Sequence, residues 1–75
     1  MVGFNISPNP FNEQIIVSST NTNYRLTITD ITGKIVLKNN DAKNTTVIET
    51  LMLSHGTYFL KLETNTGMDV IKLVK

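Results

Sequence analysis

The feature that most limits what this chain can become is its period of two. In "NYRLTITD", Tyr24, Leu26 and Ile28 fall on one face, while Arg25, Thr27 and Thr29 fall on the other. In "EQIIVSS", Ile15 and Val17 share a face with Ser19, and in "GTYFLKLET" Tyr58, Leu60 and Leu62 oppose Phe59, Lys61 and Glu63. Alternation of this kind is what a β-strand with one buried side requires. No segment carries a sustained helical period. The one stretch that tempts a helix, "VIETLMLSH", is short and runs into the strand-like "HGTYFLKL".

Breakers cut these runs at short intervals: "SPNPFN", "STNTN", "DITGK", "NNDAKN", "LSHG" and "TNTG". About seven short strands at a spacing of roughly 8–12 residues indicate a small antiparallel sandwich or barrel. We therefore expect an all-β, immunoglobulin-like antiparallel β-sandwich, with residues 1–75 forming one domain. No linker or repeat divides it. In "DITGK", Asp30 suits the role of hydrogen-bonding to backbone N–H groups just ahead of it, and Gly33 can take positive φ. The segment then reads as a hairpin, "YRLTIT–DITG–KIVLK", with Lys34 opening the return strand toward solvent. A phosphate-binding loop would need more glycine and a following helix.

At 75 residues a chain buries a modest share of its surface, and with no Cys it has neither a disulfide nor a thiolate metal site to help. Its core must rest on Val, Ile, Leu, Phe and Met. A net charge of +1 and the lack of a basic stripe speak against nucleic acid as a partner. No apolar run approaches the roughly 20 residues of a spanning helix. The start "MVGFNIS" lacks the charged and long apolar regions of a signal peptide. Abundant Asn and Thr fit an extracellular β-domain.

Candidate chemistry is sparse. Acid–base catalysis needs paired carboxylates or a pocketed His, yet Glu13, Asp30, Asp41, Glu49, Glu63 and Asp69 are scattered and read as solvated surface. His55, before Gly56, reads as an exposed turn residue. "NNDAKN" gathers polar oxygens, but a single carboxylate beside Lys43 is a poor calcium site. Tyr24 and Tyr58 fall on core faces, Phe4 and Phe11 read as core caps, and only Phe59 is on the wrong face by parity. Tyr58, in "LSHGTYFL", is the candidate for a corner tyrosine whose hydroxyl reaches back to the backbone. No cofactor, metal or small-molecule substrate is indicated.

Four motifs stand in order: "SPNPFN" near the start, "DITGK" in the middle, Leu53, Gly56 and Tyr58 as L-x-x-G-x-Y, and "IKLVK" at the end. Together, from Ile6 to Lys75, they resemble the type A C-terminal sorting domain of the type IX secretion system of Bacteroidota. Ser7, just before Pro-Asn-Pro where the family often has an aromatic or aliphatic residue, Thr50, where an aliphatic residue is typical, and Leu51 and Met52, which break parity, depart from the pattern.

The resemblance implies a non-catalytic sorting signal: the tail of a larger secreted protein, covalently linked to an N-terminal cargo. It implies the outer-membrane secretion machinery and a surface sortase as partners, and a secreted or cell-surface destination reached through the periplasm. Removal of the tail, or surface attachment of the cargo, would involve a cut in or before residues 1–6, and Met1 would be an added start. The matching positions are Pro8, Asn9, Pro10, Asp30, Gly33, Lys34, Gly56, Tyr58, Lys72 and Lys75. Gly33, Gly56 and Tyr58 would set the fold. Lys72, Lys75 and the terminal carboxylate would touch the machinery, or else act as edge charges that deter aggregation. The competing reading is a fibronectin-like accessory or carbohydrate-binding module of an extracellular enzyme, which would show an exposed aromatic strip or an apolar patch on one sheet.

Overall fold

A computed structural model describes residues 4–7, 13–20, 23–65 and 67–75. Among them are seven strands and no helix: β1 (Phe4–Ser7), β2 (Gln14–Ser19), β3 (Tyr24–Asp30), β4 (Ile35–Ala42), β5 (Thr45–Glu49), β6 (Thr57–Thr64) and β7 (Gly67–Val74). They form two antiparallel sheets, ordered β1-β2-β5 and β4-β3-β6-β7. This is an immunoglobulin-like sandwich in which the fourth strand joins the sheet of the third, sixth and seventh.

The parity read from the sequence decides which side of each strand is buried. Ile15, Val17 and Ile48 from one sheet meet Tyr24, Leu26, Ile28, Ala42, Tyr58, Leu60, Leu62 and Leu73 from the other. Phe4 packs edge-on against Tyr24, with ring centroids 5.1 Å apart, and caps one end of this core. The Tyr24 hydroxyl leaves the apolar interior to donate to the Asn44 carbonyl at 3.1 Å and to meet the Thr46 hydroxyl at 3.0 Å. The buried phenol thus keeps its polar end satisfied.

Two stretches differ from the expectation. "NNDAKN" is mostly strand: β4 continues through Asp41 to Ala42, and the reversal is confined to Lys43 and Asn44. Burial of Ala42 opposite Tyr24 holds the strand on course. Asn44 turns the chain at φ +48°, a conformation Asn tolerates better than most residues. "VIETLMLSH" holds no helix, as expected, but its strand stops early: β5 ends at Glu49 and a turn begins at Leu51. Leu51 and Met52 break strand parity because they are not in a strand.

The registers fix which ends lie together. Asp30 pairs with Tyr58, and Thr57 with Val74, so the β3–β4 turn, the start of β6 and the end of β7 share one end of their sheet. In the other sheet Ser7 pairs with Ile16, and Gln14 with Glu49. The Lys75 ammonium reaches the Thr50 carbonyl at 2.7 Å, which joins these two ends into one end of the sandwich. Phe4 pairs with Ser19 at the other end, along a body 31 Å in its longest extent.

Candidate recognition site

The β3–β4 turn is built by Asp30. Its carboxylate oxygen Oδ1 accepts from the Thr32 N–H at 2.9 Å, the Thr32 hydroxyl at 2.5 Å and the Lys34 N–H at 3.0 Å. The Gly33 N–H donates to the Asp30 carbonyl at 3.0 Å, and Gly33 sits at φ +91°, where a Cβ would strain the backbone. These bonds favour the charged form, with the Thr32 hydroxyl the largest influence, so the Asp30 pKa lies below its ordinary 3.8. The hairpin read from the sequence is therefore present, and Lys34 is exposed beside the first residue of β4.

The β5–β6 corner is tied from three directions. Thr50 is fully buried; its N–H donates to the Glu13 carbonyl at 2.8 Å, and its carbonyl accepts from the Leu53 N–H at 3.0 Å. The Tyr58 hydroxyl donates to the Ser54 carbonyl at 2.7 Å, which is the corner-tyrosine bond expected from the motif. The Lys75 ammonium donates to the carbonyls of Thr50, Leu51 and Leu53 at 2.7, 3.1 and 2.5 Å. Gly56 and Lys75 exchange backbone bonds of 3.1 and 2.9 Å, with Gly56 at φ +157°. Lys75 thus turns its charge onto its own fold. This bond set was invisible in the sequence, because a side chain reaching back 25 residues leaves no periodic trace.

Strand order brings the motifs together. Asp30, Gly33, Lys34, Gly56, Tyr58 and Lys75 all stand at one end, as do Ser7 and Glu13, which bound the Pro-Asn-Pro segment. Pro8, Asn9, Pro10 and Phe11 themselves lie outside the described residues, as do residues 1–3 of the expected cut region, whereas its residues 4–6 are part of β1. Lys72 is the exception: it opposes Phe59 on the outer face of the larger sheet.

This motif end is apolar. Eight large hydrophobics are exposed among the described residues, and five of them lie here: Ile31 (75%), Ile35, Leu51 (69%), Met52 (83%) and Val74. The opposite end has a shallow surface recess of about 360 Å³ lined by small polar groups with Phe4. Tyr24 and Tyr58 are buried and Phe4 and Phe59 half-buried, so the described residues offer no exposed aromatic strip. Among them, no three His, Asp or Glu side chains gather as metal ligands.

The family model described as a secretion system C-terminal sorting domain matches residues 5–75. No curated protein matches the chain.

Proposed function

The chain belongs to the type IX secretion C-terminal sorting domain family, and from that premise we propose that its motif end is the surface the outer-membrane machinery reads. The family is one of non-catalytic sorting signals, and membership assigns export through the outer membrane to the cell surface or medium. The single observation that carries the reading is the polarity of the sandwich. Its motif turns and most of its exposed apolar side chains occupy one end, and Phe4 enters at the other. A cargo joined before Phe4 would extend away from the motif end and leave it open to a receptor.

In this reading the residues divide by task. Gly33, Asp30, Gly56 and Tyr58 shape the two turns. Lys75 holds the corner, and Leu51 and Met52 are the side chains held out. A rigid turn carrying two exposed apolar groups loses little entropy on docking, which favours affinity. Lys34 flanks them. Pro8, Asn9 and Pro10 would set the entry to β2, and Lys72 belongs to a different surface. Residues 1–75 act as one domain at the tail of a larger secreted protein of Bacteroidota. After translocation a sortase removes the tail, cutting in or before residues 1–6, and the cargo is released or attached to the surface.

The test is a reporter with a periplasmic signal peptide fused ahead of residues 1–75, expressed in a bacterium that has the type IX machinery. Reporter at the surface or in the medium, lost when the translocon is disabled, is the expected result. A folded, intact fusion that stays in the periplasm would refute the reading and favour an accessory sandwich. Replacing Leu51 and Met52 by Ser should then stop export while shifting the melting temperature by no more than about 4–8 °C, since both are surface positions.

A further inference from the structure

The cations of this chain are not spread evenly over its two sheets. Strands β1, β2 and β5 carry no Lys or Arg, whereas β4, β3, β6 and β7 carry Lys38, Arg25, Lys61 and Lys72. All four fall on one face. Thr27 opposes both Lys38 and Lys61, Arg25 opposes Glu63, and Lys72 opposes Phe59, while the alternate residues Leu26, Ile28, Leu60 and Leu62 enter the core. The outer face of the larger sheet therefore carries four cations against two carboxylates, Glu63 and, in the β4 bulge across from Arg25, the exposed Asp41. The one strand carboxylate on the outer face of the smaller sheet is Glu49, opposite Gln14.

The spacing makes these charges act together. Lys38 and Lys61 stand two strands apart, about 10 Å. Lys61 and Lys72 are diagonal neighbours on adjacent strands, about 7–8 Å apart. Both separations are within the Debye length of roughly 10 Å at 0.1 M salt. Glu63 meets Arg25 at 3.6 Å and Lys61 at 3.7 Å, which fixes the positions of two of the cations without cancelling the field. Such a cluster repels itself slightly and gives nothing to the core.

We propose that this face is a second docking surface, for an acidic patch on a protein of the secretion machinery. It rests on the sorting reading and adds an electrostatic step to it. The apolar motif end supplies the anchor, and the basic sheet draws the tail toward its receptor. Charge complementarity of this kind mainly raises the rate of encounter. A protein fits better than a lipid surface because the cations are held in a fixed lattice of strand spacings, with Thr27 and Thr29 between them as hydrogen-bonding groups.

The test compares two variants of the reporter fusion whose net charge falls equally. K38Q/K61Q/K72Q removes three cations of the face; K43E/T45E makes the same change at the turn and edge by the other sheet. Pulse-chase export of the first should slow by roughly tenfold or more, and the second should match the unmodified tail. If the unmodified fusion is not exported, the sorting reading itself has failed. Export of the first variant at the unmodified rate, or equal slowing of both, overturns the docking face alone. Melting temperatures of the purified 75-residue variants separate misfolding from lost docking. Should the Gln variant unfold, the milder R25Q/K72Q pair carries the same prediction at reduced size. Binding of the 75-residue chain to phosphatidylcholine–phosphatidylglycerol vesicles that the Gln variant abolishes, or a charge-dependent dimer in light scattering, would overturn the protein partner in favour of lipid or a second copy.

Discussion

Replacing Lys75 by Met keeps the length and apolar stem of the side chain and deletes only its ammonium. Three carbonyls, those of Thr50, Leu51 and Leu53, then lose a donor at once. A hydrogen bond to a charged group contributes about 1.5–3 kcal/mol. The three bonds do not add in full, because they share one ammonium and the Leu51 contact is open to water. Water can replace that contact; the Thr50 and Leu53 contacts are part-buried. The expected net loss is about 2 kcal/mol, which for a domain of this size lowers the melting temperature by about 8–16 °C. Far-UV circular dichroism melts of the wild type, K75M and K75R would measure it. Arg keeps the charge, but its planar fork cannot aim at three converging carbonyls as a tetrahedral ammonium does, so K75R should fall between. Hydrogen exchange at the Leu53 and Gly56 amides should quicken in K75M before that at Leu26. A K75M melt within about 2 °C of wild type would refute the corner role. If that stable variant were also not exported, the ammonium would be a contact for the machinery instead.

Other perturbations probe the remaining parts. G33A should cost about 1–2 kcal/mol through backbone strain alone, since nothing lies within 4 Å of the added Cβ; urea titration would show an unchanged slope with a lower midpoint. Y58F should lose about 1 kcal/mol from the bond to Ser54, read as a melting shift of roughly 4–8 °C. L26A, at a fully buried position, should cost about 2–5 kcal/mol and leave too little folded domain for export at growth temperature. Asp30 has a depressed pKa in the fold, so its contribution is present above the ordinary carboxylate range near 3.8 and is lost as pH falls through the lower folded value. Acid titration of D30N should lack that component.

Much of this molecule is legible from sequence where chemistry is local. Tyr24, Leu26, Ile28, Tyr58, Leu60 and Leu62 declare the core because strand parity leaves them no other side. Asp30 and Gly33 declare their turn because few other residues can make those bonds at that φ. Tyr58 is readable because a large phenol near a sandwich corner needs a partner for its hydroxyl. What escapes is whatever depends on strand order. Lys75 looks like a surface charge until the end of β7 is placed beside the β5–β6 corner. Lys38, Arg25, Lys61 and Lys72 look dispersed along the chain until four strands align them. Leu51 and Met52 look like errors in a strand, and are the tip of a turn.

The bonds from β7 to the corner also set a clock. Leu73 fills the core, and Lys75 satisfies carbonyls that were synthesised more than twenty residues earlier. Translation delivers both after every other strand, and non-local closure of this kind is slow in any case. A chain that breaks off early, or is clipped near its end, keeps an open edge on β6 and a loose corner. It therefore never displays the finished motif end. A domain closed by its seventh strand displays its finished end only when the six strands before it have been translated.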